Sequence, residues 1–411
     1  MKIFFACHRF PFPPNRGGKI RPFNMIRHLS QKHEVVVASV AHTQQELDEG
    51  AGLKEYCAEI YSEVLPEKLR WLQAVRALPS TTPSSVAYFS SSRLRQKIKD
   101  GVRKHSFDVV MVHCAFAAQY ALEVRAKRRL IDFGDLDSGK WLDYSKWRSF
   151  PLSWGYYLEG NKLRRYEQQI AASFDYCTLT TQGELEEFKK LNVDRPHSVI
   201  PNGVDGSYFH PNGGPPQGKP VVVFLGRMDY FPNIDGVLKF SEKVLPIIRA
   251  AVPDVEFRII GSNPLPIVQR LRDIPGIVVT GHVPDVRPCV LDASVAVAPL
   301  RLARGTQNKI LESMAMGVPV VATTVAAKGV AAVPGEHLIV ADETDAFAEQ
   351  VVRLMRGPSI RSALAQAGRK QIETSHAWQS SLNILDNILV HFTSGDFAGS
   401  PGPGEPASVS E

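Results

Sequence analysis

Residues 220–235 read PVVVFLGRMDYFPNID, an uncharged apolar run that stops at Gly226 and passes through Arg227 into a polar segment. An apolar run of this length suits a strand buried on both faces, and such strands belong to parallel sheets covered by helices. Glycine at the stop permits a tight turn. Because ligands of open parallel sheets bind just beyond the carboxyl ends of strands, Arg227 stands where its forked donor set could receive a phosphate.

The pattern repeats outward from this stretch. Downstream, strands are expected at 256–260 (EFRII), 277–280 (IVVT), 295–299 (VAVAP) and 318–322 (VPVVA). Upstream they are expected at 2–7, 34–40, 108–114, 129–133, 174–180 and 197–200. Helical periodicity fills the intervals, including 91–105 and 154–174, and returns at 343–356, 358–373 and 377–392. The class is α/β. The two series are separated by PNGVDGSYFHPNGGPPQGKP, whose glycine and proline content reads as a linker. This predicts an N-terminal domain at 1–200, a linker at 201–220 and a C-terminal domain at 221–375. The segment 394–411 reads as a disordered tail.

The 411 residues are 44% hydrophobic and 22% charged, which fits two or three globular domains. Charged residues interrupt every long apolar stretch, so no membrane-spanning segment is expected. The opening MKIFFACHRF reads as a buried strand rather than a signal peptide, which predicts a cytoplasmic chain. Five scattered cysteines carry no CxxC pair and predict reduced thiols. The net charge is +6, and the basic residues concentrate in the first half. A basic half points to an anionic membrane face or a phosphate-bearing substrate, or is a solvated surface. No nucleic-acid-recognition motif accompanies it.

Further residues follow predicted strands. Gly17 and Gly18 open a helix after the first strand, with Arg16, Lys19 and Arg21 around them; a phosphate or sugar oxygen would suit the exposed N–H groups, though a plain turn needs the same glycines. Lys309 and Glu312 share a face near the start of a helix expected at 307–316. They read either as a surface ion pair or as a diphosphate cation beside a carboxylate for ribose hydroxyls. Asp135 and Asp137 form a DxD and, with Asp132, end a predicted strand, readable as acceptor-binding carboxylates or as a helix cap.

Taken in order, IPNGVD, FLGRMD, IIGSNP, TGHVPDV and NKILESMAMGVPVVAT resemble family 4 glycosyltransferases of the GT-B fold. The full layout, with PFPPNRGGKIRPFNMIRHLS and DFGDLDSGKW, is similar to sugar transferases of PEP-CTERM/exosortase exopolysaccharide clusters. The resemblance implies two Rossmann-like domains facing each other across a cleft, with a final helix at 376–393 returning to the first domain. It implies Arg227 on the donor diphosphate, Glu312 on the ribose, and Gly281, His282 and Val283 lining the base. It places Gly17 and Gly18 toward the diphosphate and His113 near the transferred sugar, although a histidine ending a buried strand can equally be a core residue.

Two departures stand out. Asn233, placed with Arg227, Lys309 and Arg304 at the donor diphosphate, occupies a position where many relatives carry lysine, and Arg304 one where they carry glutamate. Lys309, with Arg304, is expected to restore the missing positive charge on the diphosphate. The implied activity is retaining transfer of a hexosyl unit from a UDP- or GDP-linked sugar to a glycan or polyprenyl-linked acceptor in exopolysaccharide synthesis. No cofactor and no metal are expected, and Asp135, Asp137, Lys19 and Arg21 are weaker acceptor candidates. Trp71, Trp147, Trp154, Tyr156 and Tyr157 near basic residues suggest peripheral contact with an anionic inner membrane. A sugar-nucleotide epimerase of the same fold, or a non-catalytic nucleotide-sugar-binding subunit, are the alternatives.

Overall fold

The computed structural model describes residues 1–211 and 219–394. Of the predicted linker, 212–218 lies outside the described residues, as does the predicted tail beyond Ser394. The described residues divide into two compact units, one comprising Met1–Pro201 and the segment Leu382–Ser394, the other lying within Asn202–Ser381.

The first unit is a parallel sheet of seven strands: β1 (Lys2–Cys7), β2 (Glu34–Ala41), β3 (Glu59–Val64), β4 (Phe107–His113), β5 (Ala126–Gly134), β6 (Tyr176–Leu179) and β7 (His197–Val199), in the order β3-β2-β1-β4-β5-β6-β7. Every pairing is parallel, with Ile3 opposite Val35 on one side and Val109 on the other. Its core holds Phe4, Val36, Val110, Ile131 and Phe174, all fully buried. Each such side chain contributes about 1.5–3 kcal/mol relative to exposure.

The second unit repeats the plan with β8 (Val221–Leu225), β9 (Glu256–Ile260), β10 (Ile277–Gly281), β11 (Val295–Ala298), β12 (Val320–Ala322) and β13 (Ile339–Val340), in the order β10-β9-β8-β11-β12-β13. In both sheets the first strand has its successor on one side and a later strand on the other. The connections therefore reverse direction at β1/β4 and at β8/β11. That reversal opens a crevice at the carboxyl ends, where doubly wound sheets bind ligands.

Two strands escaped the reading of the sequence. β3 (EIYSEV) is an edge strand with no fully buried residue, and β13 is two residues long. The described part of the linker packs on the second unit: Val204 pairs with Ala377, and His376 Nδ1 lies 2.8 Å from Asn202 O. The last helix, Trp378–Ser394, sends Asp386 to His28 at 2.8 Å and Lys32 at 2.7 Å in the first unit. The five cysteines are free.

Candidate active site

In the second unit the turns after β8, β9 and β10 are laced together. Gly226 N donates to Ile260 O at 3.0 Å, Met228 N to Ser262 O at 2.9 Å, and Gly261 N to Gly281 O at 3.3 Å. A methyl group at Gly261 would lie 1.7 Å from Gly226 O, and one at Gly226 would lie 2.5 Å from Asn233 Nδ2. Close approach of backbone at Gly261, and of the Asn233 side-chain amide at Gly226, is the reason for glycine at both positions.

Arg227, presented by this turn, donates both arms of its fork to Asp229, with Nε 3.0 Å from Oδ1. Burial raises the Asp229 pKa, but the hydrogen bonds from Arg227 and Asn263 outweigh it and hold the group below its usual value. Asn233 is 5% exposed, and both ends of its amide are engaged: Nδ2 donates to Arg227 O at 2.9 Å, and Oδ1 accepts from Lys309 Nζ at 2.6 Å. The expectation that Asn233 contacts the diphosphate is corrected, since its buried amide is already committed at oxygen and nitrogen. It braces the arginine turn and positions the lysine.

Lys309 belongs to the helix Asn308–Ala315, and its ammonium lies 4.7 Å from the centre of the Phe224 ring. Burial pulls its pKa down to about 7, partly opposed by Glu312. Glu312, one turn on, is pushed up to about 7 by burial, with Lys309 pulling the other way. Both side chains are half-buried rather than exposed, and each feels the other's charge. The helix start has no side-chain cap, and Thr306 Oγ1 and Asn308 Oδ1 are buried there without partners. Arg304 lies half-buried in the preceding loop, its carbonyl accepting from Gln307 Nε2 at 3.0 Å. Gly281 ends β10 at φ 75° with open space around it, followed by exposed His282 and half-buried Val283.

In the first unit His113 ends β4 and is 6% exposed. Its Nδ1 lies 2.7 Å from Asp132 Oδ2. Asp132, fully buried on β5, also accepts from Arg21 Nη2 at 2.6 Å, Arg21 Nε at 2.9 Å and Thr178 Oγ1 at 2.8 Å. Burial opposes the charge on Asp132, but Arg21 and His113 hold its carboxyl well below the usual range. An ionised acceptor at Nδ1 holds a proton on that nitrogen and fixes the ring's orientation.

The weak acceptor candidates are mostly spoken for. Arg21 is corrected to a structural cation, committed to Asp132 and to Ile200 O at 2.9 Å. Lys19 is likewise corrected, being 4% exposed and paired with Glu46 at 2.6 Å. Asp135 accepts from Thr180 Oγ1, while Asp137, in the first turn of the helix Asp137–Trp147, faces the Cys114 thiol at 3.6 Å. Burial raises the pKa of Asp137. The cap reading fails too, since that helix has no side-chain cap. Gly17 and Gly18 start the helix Gly17–Leu29; a methyl at Gly17 would meet nothing within 4 Å, and one at Gly18 would meet Arg9 Cδ at 3.1 Å. Reading the sequence missed Asp132 as the hub and Arg9, His42 and Arg70 as neighbours. Arg9 follows β1 closely enough to have been found; Arg70 lies on a helix far along the chain.

Two family models match the chain in tandem: Glycosyltransferase Family 4 over residues 16–208 and Glycosyl transferases group 1 over residues 219–357. A GDP-mannose-dependent monoacylated alpha-(1-6)-phosphatidylinositol monomannoside mannosyltransferase from Corynebacterium glutamicum is 26% identical over 252 residues, 55% of this chain and 65% of that protein. The match therefore spans less than two thirds of that relative. An uncharacterized 44.6 kDa protein in the cps region of Klebsiella pneumoniae is 21% identical over 374 residues, covering 87% of this chain and 92% of that one. Among solved structures, Anabaena Alr3699/HepE in complex with UDP and glucose superposes with a TM-score of 0.66 at 14% identity, covering 95% of this chain and 99% of that chain.

Proposed function

The chain belongs to the family 4 glycosyltransferases of the GT-B fold, and from that premise we propose that it is a retaining enzyme moving a hexosyl unit from a nucleoside diphosphate sugar to a glycan or lipid-linked acceptor in exopolysaccharide assembly. The observation that carries the reading is the Arg227–Asn233–Lys309 chain of contacts, with Glu312 one helical turn beyond. It sets two cationic side chains at the carboxyl end of β8 and beside an uncapped helix start. Such an end binds anions. Where many family members carry lysine on the helix after this strand, Asn233 here holds a lysine supplied by a different helix.

Departure of a nucleoside diphosphate leaves growing negative charge on the phosphate oxygens as the glycosidic bond stretches. Arg227, Lys309 and the N–H groups at the start of Asn308–Ala315 would stabilise it without a metal. Arg304 would add charge from the loop. Glu312 would accept hydrogen bonds from the ribose hydroxyls, and Gly281, His282 and Val283 would border the base. In the first unit His113 Nε2 would accept a hydrogen bond from a hydroxyl of the transferred sugar, and Gly17 and Gly18 would offer backbone N–H groups. Front-side attack, with the leaving phosphate taking the acceptor proton, is what membership of the family implies. The GDP-mannose dependence of the Corynebacterium relative, the UDP bound to Anabaena Alr3699/HepE and the cps-region location of the Klebsiella relative support the donor class and a polysaccharide setting.

A lipid surface is the second proposed partner. Among the described residues no helix is long and apolar enough to cross a membrane. Yet the helix Glu67–Ala77 buries Arg70 and turns Trp71, Leu72 and Val75 outward, and Trp147, Phe150, Leu152 and Trp154 are exposed near the start of Leu152–Ala172. Lys162 Nζ reaches Leu78 O at 2.7 Å, so the two regions adjoin. Exposed Lys68, Arg76 and Lys146 accompany them, a composition suited to an anionic interface.

A panel of UDP- and GDP-sugars tests the reading. One should raise the melting temperature, and nucleoside diphosphate should be released in proportion to glycosylated acceptor, undiminished by chelator. Epimerised donor with no acceptor product would overturn it in favour of an isomerase.

A further inference from the structure

Beyond the donor machinery, the first unit carries positive charge that its own carboxylates do not neutralise. Arg9 follows β1 and lies 5.4 Å over the Phe89 ring, with Nη1 3.5 Å from His42 Nε2. Arg70 is 5% exposed; its Nη1 lies 3.1 Å from His42 Nδ1 and 3.0 Å from the Tyr88 hydroxyl, and its Nε is buried without a partner. Among the described residues neither arginine has a carboxylate within ion-pair distance. Glu46, the nearby acid, is taken by Lys19 at 2.6 Å and Arg16 at 3.2 Å. His42 and His8 add no negative charge, since burial and the neighbouring arginines keep both neutral.

Burying an unpaired cation is costly, so two together at the carboxyl ends of β1 and β2 mark a place prepared for an anion. The same burial, with Arg16 nearby, pulls Arg9 down to about 10. The cluster adjoins the reaction position within this unit. His8, with Nδ1 unpartnered, packs its ring 6.1 Å from that of His113 and 5.0 Å from that of Phe89. We propose that Arg9 and Arg70, bridged by His42, bind a phosphate group of the acceptor, so that the acceptor is a phosphorylated or diphosphate-linked molecule. This rests on the transferase reading and assigns its second substrate a chemical class. The helix carrying Arg70 also turns its apolar face outward, as reception of a lipid-linked phosphate would require.

Inorganic pyrophosphate, titrated calorimetrically into protein already saturated with UDP or GDP, separates this site from the donor site. The expected result is one further equivalent bound, weakened tenfold or more by Arg9→Gln and by Arg70→Gln while nucleotide affinity stays within twofold. Pyrophosphate that binds only when nucleotide is absent would assign the cluster to the donor and overturn the proposal, as would no binding to the saturated protein. If either variant fails to fold, the wild-type titration decides alone. Failure of UDP and GDP themselves to bind would instead remove the transferase reading.

Discussion

Replacing Lys309 by methionine keeps most of the side chain's volume against Phe224 and removes the ammonium that lies 2.6 Å from Asn233. Opposite unit charges about 4 Å apart attract by ~4 kcal/mol at an effective dielectric of 20, and a hydrogen bond to a charged group nets about 1.5–3 kcal/mol. Nucleoside diphosphate affinity should therefore fall about 10- to 150-fold, measured by calorimetry. The pH dependence adds a second signature. A lysine with its folded pKa lowered to about 7 is charged in the unfolded chain and neutral in the folded one between there and its usual range. Its burial cost is thus fully present below pH 7 and disappears as pH rises toward 10. The ligand-free Lys309→Met protein should melt at or above wild type at pH 7, and that advantage should vanish by pH 10. A bound diphosphate favours the protonated amine, so wild-type affinity should fall between pH 7.5 and 9.5 and the variant's should not. Binding by Lys309→Met within twofold of wild type at pH 7 would refute the reasoning.

Gly17→Ala should leave the melting temperature unchanged or slightly raised, because the added methyl meets nothing within 4 Å, yet should lower kcat/KM; full activity would remove Gly17 from the ligand site. Asp132→Asn should cost about 3–5 kcal/mol in denaturant unfolding, since it leaves Arg21 buried and unpaired. Because the Asp132 pKa is depressed by folding, its contribution holds above pH 4 and is lost as pH falls below it, a loss the variant should not show in acid melts. Replacing Trp71 and Trp154 together by serine should reduce co-sedimentation with anionic vesicles several-fold without lowering stability, as both are exposed; unchanged sedimentation would count against the lipid surface.

Much of the architecture could be read from composition alone because parallel strands buried on both faces are nearly pure apolar runs, as in VVVFL and DVVMVH. The failures were at edges, where β3 mixes charged, polar and apolar residues and buries none of them fully. The candidate residues were legible where they end a strand, as Gly281 and His113 do, or directly follow one, as Gly226 and Arg227 do. It was illegible where a contact joins distant segments. The shift of a cation from position 233 to Lys309 could be guessed from a missing charge, but the 2.6 Å contact that joins them depends on how two helices lie on one sheet. Arg9 and Arg70 come from a loop and a helix with no shared spacing, and the DxD, readable in isolation, dissolved into separate bonds to Thr180 and Cys114.

The contact between Gly261 and Gly226, close enough that a methyl would stand 1.7 Å from a carbonyl oxygen, bears on thermodynamics as well as on sequence. Loops tied to one another by backbone hydrogen bonds have little freedom left to surrender when a ligand arrives. Association at this end of the second sheet should accordingly proceed without a slow ordering step, and its entropy should be dominated by released water and counterions rather than by stiffening of the chain.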